Sequence, residues 1–197
     1  MSDSPRTVGA WRTVDIVVTA AIAVAFGVVF WAWNSVWAAA TPAFAAVPPA
    51  QNILYGVWLI PAVLAGLIVR KPGAALFAEL VAASVSAILG SQWGLDTLVS
   101  GLIQGAAAEI VFAIARYRMF TVPVAILAAA ATAAGAWIHD MPLYYPELTL
   151  GDQLVIGVFM VISGVVVAGL GAWWLMMALA QSGVLAQFPS GRAQTRV

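Results

Sequence analysis

Apolar stretches of about 20 residues recur along this chain, separated by short breaks rich in polar residues, proline or glycine: NS, PP, KPG, GSQWG, RYR and HDMPLYYPE. A helix of that length crosses roughly 30 Å of hydrocarbon. The pattern predicts an all-α, polytopic membrane protein, a six-transmembrane-helix bundle with spans at 14–33, 53–69, 73–89, 98–115, 120–138 and 153–180. Residues 1–13 form a short N-terminal segment, 14–180 the membrane domain, and 181–197 read as a disordered tail. The uncharged, Pro- and Ala-rich stretch 34–52 is too short and interrupted to span, and predicts a lid or re-entrant loop over the outer end.

Charge orients the bundle. Arg6, Arg12, Arg70, Lys71, Arg116, Arg118, Arg192 and Arg196 all fall at one end of such a bundle, while Asp96, Asp140, Glu147 and Asp152 fall at the other. Basic residues mark the cytoplasmic side, so both termini are expected there. One more or one fewer span would scramble this segregation. Arg6 and Arg12, an apolar run and then TPAFAAVPPA also resemble a secretory leader. The run is longer than a leader's apolar region and carries Trp31 and Trp33 at its outer end, which favours a retained first helix.

Composition narrows the chemistry. Hydrophobic residues make up 63% of the chain and charged residues 8%, against roughly 25% charged in soluble domains. With no cysteine and one histidine (His139), thiolate chemistry, disulfides and iron–sulfur ligation are excluded, and zinc lacks a ligand set. No GxxxxGK[ST] phosphate loop, no GxSxG elbow and no basic stripe occur. An enzyme, a resident cofactor and a nucleic-acid partner are therefore not expected.

Against that background two carboxylates need a reason. Glu79 lies within an apolar run and Glu109 within another, and an ionisable group in a membrane helix is a functional candidate by default. Gly101, Gly105 and Glu109 repeat every fourth residue and share one helix face. Either glutamate can serve a ligand, or simply hydrogen-bond a neighbouring helix. Towards the outer end, Trp33 and Asn34 close the first helix, Gln51, Asn52, Tyr55 and Trp58 open the second, and Gln92 and Trp93 follow the third. Gln104 lies in the outer half of the fourth, and Trp137, His139, Asp140, Tyr144 and Tyr145 surround the loop after the fifth. Tryptophans alone can form an interfacial belt, but buried amides gain nothing from lipid. Aromatic faces, amides and a carboxylate together suit a flat heteroaromatic solute, including a cationic one. Small residues at Thr19, Ala23 and Gly27, at Ala21 and Ala25, and at Gly157, Gly164 and Gly171 mark either internal packing or docking of another subunit.

QNILYGVWLIPAVLAGLIVRKPGAALFAELVAASVSAILGSQWG, followed by SGLIQGAAAEIVFAIARYR, resembles the YkoE family. These are S components of energy-coupling factor (ECF) transporters, assigned to thiamine and its hydroxymethylpyrimidine precursor. The resemblance implies a bacterial plasma-membrane protein whose outer site is closed by the loop between helices 1 and 2. It implies an Ala-rich helix 1, here Ala20, Ala21, Ala23 and Ala25, that docks on a transmembrane coupling subunit driven by cytoplasmic ATPase subunits. Thiamine or hydroxymethylpyrimidine would then be held by Trp33, Asn34, Tyr55, Trp58, Glu79, Gln92, Trp93 and Gln104. Glu109 would instead fix helix 4. The competing expectation is a self-sufficient permease that uses Glu79 and Glu109 as proton or sodium sites, although no internal repeat is visible.

Overall fold

In a computed structural model, every regular element among the described residues, 10–192, is helical. Five helical stretches are long and apolar enough to cross a membrane: Thr13–Phe44, Pro48–Val69, Asp96–Ile114, Val122–Tyr144 and Leu150–Gln181. A shorter apolar helix, Ala74–Ile88, lies among them. The protein is a polytopic helical bundle.

Its elements are α1 (Thr13–Ala40), a 3₁₀ turn (Thr41–Phe44), a 3₁₀ helix (Pro48–Leu59) leading into α2 (Ile60–Val69), and α3 (Ala74–Ile88). They continue with α4 (Asp96–Ile114), α5 (Val122–Tyr144), α6 (Leu150–Ser163), a π-helical segment (Gly164–Leu170), α7 (Gly171–Gln181) and α8 (Pro189–Arg192). From Pro61 to Val69 every residue of α2 is buried, which makes it the central post of the bundle. Helices α1, α3, α4 and α5 pack in sequence beside one another.

Small residues let these helices close. A side chain at Gly101 would meet the Ala83 Cβ at 2.5 Å, and one at Gly105 would meet the Leu76 Cα at 3.0 Å. The shared face of α4 is thus its seam with α3. Gly105→Val should lower the thermal midpoint in detergent, at a cost of roughly 1–3 kcal/mol for overpacking against backbone. Gly171→Ala is the control, since only Val166 O lies near, at 3.7 Å. Equal midpoints for the two variants would refute the seam.

Several expectations change. Helix α1 continues to Ala40, because NSVWAAA contains no helix breaker before Pro42 and alanine favours helix. The expected lid over 34–52 is thereby reduced to a 3₁₀ turn and three residues before the next helix. Helix α5 runs to Tyr144, so His139 and Asp140 sit on a helix rather than in a loop, with Pro142 tolerated in its final turn. The tail is also structured as far as Arg192. Leu185 and Phe188 are buried, and the Ser190 hydroxyl donates to Ile68 O at 3.1 Å. These contacts hold that segment against the end of α2. Residues 193–197, and Arg6 and Arg196 of the charge pattern, lie outside the described residues.

At the same end, a fully buried Asp15 receives the Lys71 ammonium at 2.5 Å and the Arg12 guanidinium at 2.7 Å. Arg12 also donates to Gln187 O at 3.3 Å, which ties the N-terminal end of α1 to the tail. The alanine row on α1 divides. Ala23 is fully buried with Ala65 and Ala78, so it packs inside the chain and is not available to a partner. Ala21 and Ala25 are exposed and Ala20 is half-buried.

Candidate functional site

The 3₁₀ helix Pro48–Leu59 carries Asn52, Tyr55 and Trp58 at three-residue spacing. A 3₁₀ helix has three residues per turn, so these side chains stand in one row. The row faces a cavity of about 190 Å³ at the end of the bundle opposite the basic residues. Trp33 Nε1 donates to Leu54 O at 3.0 Å and Gln51 Nε2 to Trp37 O at 2.9 Å, fastening this segment to α1.

One wall is aromatic. The Trp58 ring centroid lies 5.2 Å from Trp37, 5.2 Å from Trp93 and 5.3 Å from Tyr55. The Trp58–Trp93 and Tyr55–Trp58 pairs are edge-to-face, an arrangement that points ring faces in different directions. Asn34 is fixed beside them: its carbonyl accepts from Trp58 Nε1 at 3.2 Å, and its amide donates to Ser91 Oγ at 3.3 Å.

The opposite wall is polar. Tyr55 donates to Asp140 at 2.6 Å, and Gln104 donates to Tyr55 at 3.3 Å and to Ser100 at 2.7 Å. His139 lies between Asp140 and Asp96, at 2.9 Å and 3.2 Å from their carboxylates. Tyr144 donates to Asp96 at 2.5 Å. A continuous chain of hydrogen bonds therefore joins the start of α4 to the end of α5. Just beyond α5, burial and the nearby Asp140 raise the Tyr145 phenol above its ordinary range, which keeps it a neutral donor.

Glu79 forms the floor. It is fully buried, Oε2 accepts the Ala62 N–H at 2.9 Å, and Oε1 has no partner. Ala62 stands in the first turn of α2, so Glu79 ties that turn to α3 with one oxygen, while its other oxygen is buried without a partner in a residue that lines the cavity. Three carboxyl side chains (Glu79, Asp96 and Asp140) line the cavity, and no Lys or Arg does. Among the described residues no three His, Cys, Asp or Glu side chains form a metal-ligand group.

Of the eight residues expected at the site, Asn34, Tyr55, Trp58, Glu79, Trp93 and Gln104 line this cavity. Trp33 and Gln92 do not. Trp33 spends its N–H on the backbone, and Gln92 is exposed. Trp37, Asn52, Tyr144 and Tyr145 also line it, as do Ser86, Ser91, Thr97 and Ser100. Ser86 could have been found from Glu79, because positions 79, 83 and 86 share one helix face.

Residues 14–135 match the family described as the permease component of an ABC-type cobalt transport system. A Bacillus subtilis (strain 168) protein provisionally named as the HMP/thiamine permease YkoE is 34% identical over 176 residues, 89% of this chain and 87% of its own length. A crystal structure of an S component of an ECF transporter aligns with TM-score 0.89 and 32% identity, over 95% of this chain and 94% of that one. The chain belongs to the YkoE family of ECF-transporter S components, which are transport subunits rather than enzymes.

Proposed function

We propose that this vitamin-uptake S component binds thiamine or its hydroxymethylpyrimidine precursor in the cavity between Trp58 and Glu79. The observation that carries the reading is the unpaired Glu79 Oε1, a buried acceptor at the floor of an aromatic chamber. An aminopyrimidine supplies the N–H donor that oxygen lacks, and a thiazolium supplies a flat cation to aromatic faces within an acidic lining. The name of the Bacillus subtilis relative supports this class. Cobalt, named in the family description, fits less well, since no convergent metal-ligand group occurs among the described residues.

The same reading gives the chain six spans with both termini cytoplasmic, α3 being the short sixth. Ala21 and Ala25, exposed between Val17, Val24 and Val28, supply a smooth strip on α1 for the transmembrane coupling subunit, whose ATPase partners provide the energy. A proton- or sodium-driven permease using Glu79 and Glu109 is disfavoured, because both Glu109 oxygens are occupied by donors from the chain itself.

Purified protein titrated with thiamine, hydroxymethylpyrimidine and riboflavin, followed by tryptophan fluorescence, tests the proposal. Saturable quenching at nanomolar to low-micromolar concentration is expected for thiamine or the pyrimidine but not for riboflavin, and Trp93→Ala should weaken it. Folded protein that responds to none of the three would reject this ligand class.

A further inference from the structure

Twelve consecutive residues in 3₁₀ geometry are unusual, since such helices seldom exceed one turn and longer ones mark strain or function. Something must hold Pro48–Leu59 in that form. The Ser163 hydroxyl accepts from Gly56 N at 2.8 Å and donates to Ile53 O at 2.5 Å. Ile53 O and Gly56 N are the two groups that a 3₁₀ turn pairs with each other. Ser163, more than a hundred positions away in sequence, sits between them as a bridge. Approach this close requires Gly56, where a Cβ would fall 2.4 Å from Ser163 O. Ser163 is also the last residue of α6 before the π-helical segment Gly164–Leu170, a departure from α geometry that is common at functional sites.

We propose that Ser163 is a positioning residue for ligand recognition: its hydroxyl holds the Pro48–Leu59 helix in the three-residue register that aligns Asn52, Tyr55 and Trp58 along the cavity. Ser163 does not line that cavity, so it acts through the helix. In α geometry, six residues advance about 120° short of two full turns, which would swing Asn52 away from the side of Trp58. The inference rests on the reading of the cavity as the ligand site.

The test combines ligand affinity with two measurements that need no ligand. In Ser163→Ala, affinity for thiamine or hydroxymethylpyrimidine should fall about tenfold, the scale of one lost hydrogen bond. Its effect should be sub-additive with Asn52→Ala, because both act on one row. Ser84→Ala, which removes only a bond to Leu80 O within α3, should leave affinity unchanged. Without ligand, amides 50–59 should exchange faster and the near-ultraviolet circular dichroism of the coupled rings should change. Should Ser163→Ala not fold, Ser163→Cys, a weaker bridge of similar size, is judged by the same criteria. Wild-type exchange and dichroism, unchanged affinity, or full additivity with Asn52→Ala would each overturn the proposal. If the unmodified protein binds neither compound, the ligand assignment falls alone, and exchange and dichroism still decide the role of Ser163.

Discussion

Glu79→Gln should raise the thermal stability of the ligand-free protein while weakening thiamine or hydroxymethylpyrimidine binding by about a hundredfold. The substitution keeps the shape of the side chain and one carbonyl oxygen, so the Ala62 N–H retains its acceptor and α2 its cap. What changes is the atom that faces the cavity. Oε1 is a buried oxygen with no partner, and such a group is costly to keep in the absence of ligand. An amide NH₂ in its place removes the cost of burying a carboxyl oxygen without a partner and turns a donor towards a ligand amino group that itself needs an acceptor. Donor facing donor is the kind of mismatch that discriminates strongly in buried sites. Stability measured by melting in detergent, and affinity measured by calorimetric titration, should therefore move in opposite directions. Wild-type affinity in a stabilised Glu79→Gln protein would show that Glu79 only caps α2.

The sequence was most legible where a single physical requirement acted over many residues. Crossing hydrocarbon demands long apolar runs, and the observed helices follow those runs closely. Ends were harder, because the sequence does not say which polar residues find partners inside. His139 and Asp140 look like loop residues until the contacts to Asp96 and Tyr55 show why they extend α5. Leu185 and Phe188 look like a polar tail's stray apolar residues until α2 offers them a surface. Within the site, residue chemistry was visible but geometry was not. Trp33 and Trp37 are adjacent turns of one helix with similar surroundings in the sequence, yet only Trp37 reaches the cavity. The 3₁₀ register from Pro48 to Leu59 depends on Ser163, far along the chain, and no local pattern announces it. The alanines of α1 show the same limit: a four-residue spacing defines a row, but not whether α3 or a partner covers it.

Glu109→Ala should be the most destabilising of these changes and yet leave the affinity of the folded fraction intact. One Glu109 oxygen accepts Gly73 N at 2.7 Å and the Tyr117 phenol at 2.6 Å, and the other accepts Ala75 N at 3.0 Å and Leu76 N at 3.3 Å. Three of these donors belong to the start of α3, where a helix has no internal acceptors and its dipole favours a negative charge. No Ser, Thr, Asp or Asn precedes α3; Gly73 stands at its cap with φ of 86°, so the cap is supplied from α4. Tyr117 reaches back because Arg116 and Tyr117 adopt left-handed backbone, with φ of 56° and 51°, and Tyr117 N closes the turn onto Phe112 O at 2.9 Å. Burial and then the Glu109 carboxylate raise the Tyr117 phenol above its usual range, so it stays a neutral donor. Removing the carboxylate leaves three backbone N–H groups and a phenol without their acceptor, at a cost of about 3–5 kcal/mol. Glu109→Gln keeps one carbonyl oxygen and should lose less, and Tyr117→Phe, which removes a single bond, less again. Detergent melting should rank the three in that order, with ligand dissociation constants unchanged once corrected for the folded fraction. Glu109→Gln that melts like the unmodified protein but has lost its ligand would contradict this account and place Glu109 in the recognition machinery. Glu79 and Glu109 otherwise share one device, an acidic side chain from one helix bonding the start of the helix before it, and differ in a single respect: Glu109 spends both oxygens on the fold, whereas Glu79 leaves one without a partner.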